Sequence, residues 1–283
     1  MAAREKGRRS RLKAVFLSAL SAFAPLCPAV AEPEIVWEPL GTDLEQANAK
    51  LNPDSVFSAS VVLIRSSLAN YRLQVLRAAD YGWKRANVRA MCREAGASAC
   101  INSNFFDEQG RALGLVISRG IIQQKMHRGG GTLTGIAYVT PKSVGIAHRD
   151  AFSPEGVIEA TQAGPRVLDD GQLVSGLKES SFRTNLSGMC LDRQGRVVLY
   201  RVSAGVFGSS LPLLQRLLLA PGVNCVDALN FDGGGSSQLY ISGEIPGHAG
   251  SVREESFPGR DDVPVALALI PTGPYREQHQ PPR

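Results

Sequence analysis

The sequence lacks several features that would define a function class at once. Beyond its first 31 residues it has no long apolar run, no Cys-x-x-Cys spacing and no cluster of cysteine and histidine. A membrane-spanning helix needs about 20 consecutive apolar residues, so none is expected. Structural zinc sites use closely spaced cysteine and histidine ligands, so no such site is expected either.

The main body of the chain also lacks an excess of charge of one sign. Six basic residues and one acidic residue lie within residues 1–31, and residues 32–283 carry 25 of each. The pI of 9.1 therefore reflects the N-terminus and gives no argument for a nucleic-acid partner. With 43% hydrophobic residues in 283, the chain has an ordinary globular composition.

The N-terminus has the pattern of an export signal. Its basic start continues into an apolar run over residues 14–24, and residues 29–31 form a small-x-small cleavage motif. We predict a signal peptide over residues 1–31, removed on export to the periplasm or the exterior, with no stable membrane anchor after cleavage. A retained N-terminal anchor is the alternative. The arginine pair at residues 8–9 leaves the general secretory and twin-arginine routes both open.

Four cysteines follow the signal, an even number in a chain bound for an oxidising compartment. Three pairings are possible. Short separations along the chain favour Cys92 with Cys100 and Cys190 with Cys225. Buried free thiols are the alternative.

Apolar periodicity predicts mostly strands. Alternating stretches rich in β-branched residues at 56–65 and 71–78 are typical of a hairpin. Two helices are predicted, over residues 88–95 and 211–220, each preceded by an Asn or Ser that can cap its first turn. The expected class is α+β, a single domain with mixed, mostly antiparallel sheets layered with a few helices.

The chain divides into four parts by composition. The predicted signal is followed by an N-terminal segment over residues 32–55 and by the main domain over residues 56–271. Within that domain, residues 247–262 are polar and contain glycine, and a loop is predicted there. The tail at residues 272–283 holds three prolines and little to bury, and is expected to be disordered.

The most informative motif is Leu-Asn-Phe-Asp-Gly-Gly-Gly-Ser-Ser at residues 229–237. A buried strand brings Asn230 and Asp232 to its end, and three glycines let the backbone approach a ligand and direct its N–H groups toward an anion. No Gly-Lys-Ser/Thr follows, so a nucleotide-binding Walker loop is not supported. A glycine-rich hairpin turn without a ligand is the alternative.

Two further groups of polar residues lie at predicted strand ends. In residues 102–107, Asn102 and Asn104 can hydrogen-bond sugar hydroxyls while a phenylalanine ring covers an apolar sugar face. Arg166 and Arg183 each carry a guanidinium fork that suits a phosphate. Core phenylalanines and surface arginines are the alternatives for these groups.

These motifs belong to five segments that follow one another in a characteristic order. The segments are residues 102–106, 114–120, 162–166, 183–184 and 228–237. In this order they resemble the phosphodiester glycosidase family, which includes the enzyme that uncovers mannose-6-phosphate by removing N-acetylglucosamine. The resemblance is greatest to its secreted bacterial branch. It implies an exported hydrolase that cleaves the glycosidic bond of a sugar-1-phosphate diester and releases the sugar from a phosphorylated partner.

The resemblance also implies roles for individual residues. Asp232 is expected to stabilise positive charge at the anomeric carbon or to activate water, with Arg183 and Asn104 as further catalytic candidates. Expected substrate-binding residues are Arg166, Asn102, Asn230, Gly233, Gly234, Gly235, Ser236, Ser237 and Thr184. Glycoside hydrolysis ordinarily uses two carboxylates, and Asp107 and Asp192 are candidates for the second, although Asp192 is expected to be solvated. Ser103 and Phe231 differ from the family's usual glycine and leucine, which leaves the sugar unidentified.

Two other functions stay open at this point. No cofactor is predicted, but a divalent ion beside Asp232 would make the protein a metal-dependent phosphodiesterase. The alternative from another class is a non-catalytic envelope protein that binds glycans or anionic polymers. The predicted partner is a small-molecule or glycan phosphodiester, and the sequence predicts no oligomeric state.

Overall fold

The chain forms many short strands and few helices in a computed structural model that describes residue 1 and residues 35–52, 58–177, 184–204, 209–248 and 252–273. The first strands are β1 (Glu38–Gly41), β2 (Leu44–Leu51), β3 (Ala59–Ser66), β4 (Tyr71–Arg77), β5 (Ala99–Asn102), β6 (Phe105–Phe106), β7 (Ala112–Leu113), β8 (Val116–Ser118), β9 (Ile121–Gln124), β10 (Gly135–Val139) and β11 (Val144–His148). The later strands are β12 (Glu159–Ala163), β13 (Arg166–Asp169), β14 (Gln172–Leu173), β15 (Leu186–Asp192), β16 (Val197–Ser203), β17 (Cys225–Asn230), β18 (Leu239–Ile241), β19 (Glu255–Phe257) and β20 (Val265–Pro271). The α-helices are α1 (Val88–Glu94) and α2 (Leu211–Leu219), and 3₁₀ turns span Ala78–Tyr81 and Gly234–Ser236.

The strands form three larger sheets and one small pair. Sheet A has eight strands in the order β1-β2-β3-β16-β15-β17-β13-β14. Sheet B has the order β19-β18-β5-β20-β4, sheet C has the order β11-β10-β12-β8-β9, and β6 pairs with β7. Every pairing between the described strands is antiparallel.

The predicted antiparallel sheets are confirmed, but the α+β class needs correction to mostly β. Helices α1 and α2 contribute only 7 and 9 residues. The sequence pattern predicted that the helices form a layer on the sheets, whereas each helix covers only part of one sheet face. Antiparallel sheets can be joined by short turns, and so they need no crossover helices.

The hairpin predicted from residues 56–65 and 71–78 is wrong, although both strands exist. Strand β3 pairs with β2 and β16 in sheet A, and β4 pairs with β20 in sheet B. All but one residue of β3 are buried, so β3 needs a neighbour on each side. The chain therefore crosses from one sheet to another between β3 and β4 instead of turning back.

The main core lies where sheet A faces sheets B and C. Leu199 from β16, Leu267 from β20 and Val116 from β8 belong to this cluster. The other face of sheet A packs against α2 through a second cluster that includes Tyr200 and Leu214. Because β16 is buried on both faces, its sequence is nearly continuously apolar.

Both predicted helices are confirmed, with their caps. The Asn87 side chain accepts a hydrogen bond from the backbone N–H of Ala90 at 2.9 Å. The Ser210 hydroxyl accepts one from the N–H of Leu213 at 3.4 Å. These bonds satisfy amides that the first turn of a helix leaves free, so local sequence alone identifies both helix starts.

Both predicted disulfides are confirmed. Cys92 on α1 is bonded to Cys100 on β5, with Cα atoms 5.8 Å apart. Cys190 on β15 is bonded to Cys225 on β17, with Cα atoms 5.9 Å apart. The first bond ties α1 to sheet B, and the second joins neighbouring strands of sheet A.

Several expectations concern the ends of the chain. The N-terminal segment contains β1 and β2, and β2 pairs with β3 along its whole length. The loop predicted over residues 247–262 contains the short strand β19. The predicted signal peptide, apart from residue 1, and residues 274–283 of the predicted tail lie outside the described residues. The domain boundaries stay predictions.

Candidate functional site

The glycine-rich motif follows strand β17, which lies between β13 and β15 in sheet A. Phe231 is fully buried in the core between the sheets. Asp232 then begins a tight loop of residues 232–238, here named the glycine loop. Gly234 has a φ of 61°, a left-handed conformation that favours glycine. The strand therefore delivers Asp232 to the end of sheet A, as the motif suggested.

Close neighbours explain two of the glycines. A Cβ atom on Gly233 would lie 2.6 Å from the carbonyl oxygen of Asn185, and one on Gly235 would collide with the carboxylate of Asp261. Any side chain at these positions would displace backbone or carboxylate groups of the protein itself. The glycines are thus required by packing within the chain as well as by any ligand.

Amides of the glycine loop bind mostly within the protein. The N–H of Gly233 donates to the Asp232 carboxylate, and that of Gly234 donates to the carbonyl of Asn185 at 2.9 Å. The N–H of Ser236 donates to the carbonyl of Gly233 at 3.1 Å. These bonds fix the loop and leave fewer amides for an anion than the motif alone suggested.

The Asp232 carboxyl has an unusual protonation equilibrium. Burial raises its pKa to about 6, and the negative charge of Asp261 adds to the increase. Hydrogen bonds from the Ser236 hydroxyl and from the N–H of Gly233 oppose it. The carboxyl therefore changes its protonation state close to neutral pH, as catalytic carboxyl groups often do.

Asp232→Asn is expected to stabilise the fold at pH 7.5 by about 1 to 3 kcal/mol. The folded-state pKa is raised above the ordinary 3.8, so ionising the buried carboxyl costs stability as the pH rises through 6. Below about pH 3 the carboxyl is protonated in both states, and the gain should vanish. Urea unfolding at pH 3 and 7.5 measures both values.

The control for this measurement is Asp262→Asn, which alters an exposed carboxyl nearby. Its effect on the free energy of unfolding should stay within about 0.5 kcal/mol. A gain in the Asp232 variant that is equal at both pH values would contradict the burial argument.

Residues from β5 in sheet B and from β15 in sheet A hold the backbone of Asp232. Its carbonyl accepts hydrogen bonds from Asn102 Nδ2 at 2.6 Å and from Ser187 Oγ at 2.9 Å. Its N–H donates to the carbonyl of Ser103 at 3.0 Å. At the far end of the glycine loop, Asn102 Oδ1 accepts from the N–H of Gln238 at 2.9 Å. Fully buried Asn102 therefore joins both ends of the loop, which is a positioning role.

Asn104 is also a framework residue. Its Nδ2 donates to the carbonyls of Leu115 and Gln162 at 3.2 and 2.9 Å. Its Oδ1 accepts from the hydroxyls of Ser103 and Thr161. Both amide hydrogens and both lone pairs are thus used within the protein. We assign Asn104 a positioning role in place of the catalytic one that the sequence suggested.

Arg166 and Asn230 lie at the same end of β13 and β17. The Arg166 guanidinium is buried and paired with Asp169. Asn230 Nδ2 donates to the carbonyl of Phe231 at 2.8 Å, while its buried Oδ1 has no partner among the described residues. Asn230 therefore keeps one acceptor that a bound hydroxyl could satisfy, and Arg166, although paired with Asp169, keeps a buried Nε without a partner among the described residues.

The remaining predicted residues separate into three cases. Thr184 is exposed, and its hydroxyl lies 3.2 Å from where a Cβ of Gly234 would stand, so it borders the glycine loop. The Ser237 hydroxyl is buried and donates to the carbonyl of Leu186 at 3.0 Å. Arg183 lies outside the described residues.

The structure adds a second carboxylate that the sequence reasoning missed. The N–H groups of Arg260 and Asp261 donate to the carbonyl of Gly235 at 2.8 and 3.1 Å. Gln238 Nε2 donates to the carbonyl of Asp261 at 2.7 Å. These bonds hold the exposed Asp261 carboxylate close enough to raise the pKa of Asp232. The available signal was the acidic pair at residues 261–262, shortly before β20.

The two carboxylates that the sequence offered serve local turns. Asp107 accepts from the N–H and from Nε of Arg111, both at 2.8 Å. Asp192 was expected to be solvated, which is wrong, because its exposed fraction is 2%. It accepts from the N–H of Arg196 at 2.9 Å and from Nε of Arg196 at 2.7 Å. Neither carboxylate is free for a reaction.

In the described part of the chain, no three His, Cys, Asp or Glu side chains gather closely enough to hold a metal ion. No helix there has both the length and the apolarity to cross a bilayer. Dependence on a metal is therefore a question for the chelator experiment described below.

Comparison with known families identifies the chain. A family model for phosphodiester glycosidases matches residues 95–270, which contain Asp232, the glycine loop and Asp261. The chain belongs to the phosphodiester glycosidase family. It is thus a hydrolase of the phosphodiester glycosidase type, in agreement with the resemblance of the five segments.

Solved structures share the fold. The catalytic domain of zebrafish N-acetylglucosamine-1-phosphodiester alpha-N-acetylglucosaminidase, auto-inhibited by its pro-peptide, matches with a TM-score of 0.58 and 14% identity over 85% of this chain and 88% of that chain. A hypothetical protein from Synechocystis matches with a TM-score of 0.56 and 16% identity over 86% of this chain, but only 64% of the Synechocystis protein is covered. No curated protein matches. At identities of 14% and 16%, the likeness shows a shared fold and no more.

Proposed function

We propose that this protein hydrolyses the glycosidic bond of a sugar-1-phosphate diester, releasing the free sugar from a phosphorylated partner. The observation that carries the proposal is the half-buried Asp232 carboxyl, with a pKa of about 6, at the start of the glycine loop. Membership of the phosphodiester glycosidase family supports this class of reaction. The proposed reaction needs no cofactor.

The chemistry of the leaving group fits a site with one well-placed carboxylate. A phosphate leaves as a stable anion, so protonation by a general acid matters less than for an ordinary glycoside. Ionised Asp232 would stabilise the positive charge that develops at the anomeric carbon, or take a proton from the attacking water. The Ser236 hydroxyl, hydrogen-bonded to this carboxyl, would keep it oriented. Both roles require the carboxylate form.

The phosphate side of the substrate is proposed to meet Arg183 and Thr184. Thr184 borders the glycine loop, and Arg183 precedes it directly in the sequence. A guanidinium there would stabilise negative charge on the departing phosphate. Arg166 would have to release Asp169 before it could bind a phosphate, so we propose it as the weaker contact.

Asp261→Asn is expected to move the acidic limb of the kcat/KM profile to lower pH. Activity should rise as the pH increases through about 6, because the reaction needs ionised Asp232. Asp261 raises the pKa of Asp232 by its charge, so its removal lowers that pKa. Asp262→Asn is the matched control and should leave the limb in place. A limb that stays fixed in the Asp261 variant would contradict this coupling.

We further propose that the protein acts outside the cytoplasm, in the periplasm or the exterior. The two disulfides support this location, because structural disulfides form and persist in oxidising compartments. N-terminal sequencing of the mature protein should begin at Glu32. A mature protein that starts at Met1 would contradict the predicted cleavage.

The function is tested by incubating the purified protein with UDP-N-acetylglucosamine and with synthetic sugar-1-phosphate diesters, with and without EDTA. The proposal expects free reducing sugar in both conditions. Release of a sugar 1-phosphate that EDTA abolishes would instead favour a metal-dependent phosphodiesterase. Tight binding of one diester without any turnover would favour the non-catalytic binding protein.

A further inference from the structure

Three arginines in the described residues have side chains that are almost fully buried. Arg65, Arg166 and Arg201 have exposed fractions of 7%, 7% and 6%. Arg65 is paired with Glu45 at 2.7 Å, and Arg166 is paired with Asp169. For Arg201, no described carboxylate lies within ion-pair distance.

The hydrogen-bond partners of Arg201 in the described residues are uncharged. Its Nε donates to the carbonyl of Ser237 at 3.4 Å, and its Nη1 donates to the hydroxyl of Ser203. The guanidinium carbon lies 5.7 Å from the centre of the Phe257 ring. The carboxylate of nearby Glu255 accepts from Gln46 at 3.3 Å instead. The Nη2 group binds no described residue.

Strand register places Arg201 next to the glycine loop. Arg201 on β16 faces Ser187 on β15 directly, an arrangement that puts their Cβ atoms about 5 Å apart. The Ser187 hydroxyl donates to the carbonyl of Asp232 at 2.9 Å, at the start of the loop. Ser237, which accepts from Arg201 Nε, lies near its other end. The guanidinium therefore contacts the loop on the side facing sheet A.

A buried guanidinium is costly unless an anion accompanies it. Here no described carboxylate pairs with the guanidinium, its Nε donates to the loop that carries Asp232, and its Nη2 has no hydrogen-bond partner among the described residues. We propose that Arg201 binds a phosphate oxyanion of the substrate or of the phosphorylated product. This inference rests on the proposed function for the identity of the anion, and it deepens that function by naming a phosphate contact within the apolar strand β16.

The test compares thermal unfolding of the purified protein in inorganic phosphate and in chloride at equal ionic strength. Phosphate at about one hundred times its Kd should raise the melting temperature of the wild type by about 5 °C. In Arg201→Met that increase should disappear, while the melting temperature in chloride should equal or exceed that of the wild type. The matched control, Arg65→Met, should be less stable in chloride yet keep the full phosphate effect.

A second variant keeps the test valid if Arg201→Met does not fold, and inhibition kinetics test the effect of Arg201 on phosphate binding during turnover. Arg201→Lys keeps the charge but loses the guanidinium fork, and it should retain a reduced phosphate effect. The inhibition constant of phosphate for sugar release should rise at least tenfold in either Arg201 variant.

The outcomes separate this inference from the proposed function. A wild type that phosphate does not stabilise, or an Arg201→Met variant that keeps the full effect, would overturn the inference. A wild type that hydrolyses no diester, but loses its phosphate effect with Arg201, would refute the proposed function and still show that Arg201 binds phosphate.

Discussion

Asp232→Asn is expected to lower kcat/KM for a sugar-1-phosphate diester by about four orders of magnitude, the scale seen when a reacting group is removed from an enzyme. Asparagine keeps the size of the side chain, and its amide oxygen can still accept from Ser236 or Gly233, the two groups that bind the carboxylate now. It cannot carry a negative charge. The loss should therefore fall on kcat, with KM changed little.

The control for this loss is Asp262→Asn, which should keep most of the wild-type kcat. The Asp232 variant must also be folded, and its expected gain in stability at pH 7.5 provides that check. An Asp232→Asn protein that is folded and retains more than about a tenth of wild-type kcat would contradict the catalytic assignment.

Asn102→Ala is expected to reduce kcat/KM about a hundredfold, because small displacements of a catalytic group are enough for such losses. The substitution removes one donor to the carbonyl of Asp232 and leaves the N–H of Gln238 buried without an acceptor. Stability should fall by about 3 kcal/mol. Urea unfolding and steady-state kinetics measure the two effects separately.

Ser187→Ala is the matched variant for this prediction. Ser187 donates to the same carbonyl of Asp232 but does not reach Gln238, so its loss should cost less stability than that of Asn102. Because the two side chains share one acceptor, their effects on kcat should not be additive in the double variant. Additive effects would contradict a shared role in positioning Asp232.

Local features of the fold could be predicted from the sequence because their causes lie close together in the chain. Asn87 and Ser210 cap helices through bonds to amides three residues away. Cys92 and Cys100 are separated by 8 residues, so short separation identified their pairing. In contrast, nothing in the turn between β3 and β4 shows that the chain leaves one sheet for another. That choice depends on β20, which comes nearly 200 residues later.

The chemistry of the site could be predicted only in part for a similar reason. Asp232 was identified because the glycines beside it are unusual in a strand-rich chain. Asn104 has a residue type that suits sugar binding, and only its four hydrogen bonds show that it serves the framework. Asp261 and Arg201 lie in other segments and meet the glycine loop only through folding. A residue's type shows what it can bind, and its neighbours decide what it does bind.

The most direct test of the proposed function follows which bond the protein breaks. Hydrolysis of a sugar-1-phosphate diester in water enriched in oxygen-18 places the label on the carbon side or the phosphorus side of the cleaved bond. Mass spectrometry of the phosphorylated product distinguishes the two. Cleavage at the anomeric carbon predicts a phosphomonoester that contains no oxygen-18. A phosphomonoester that carries one labelled oxygen would show cleavage at phosphorus and contradict the glycosidase mechanism.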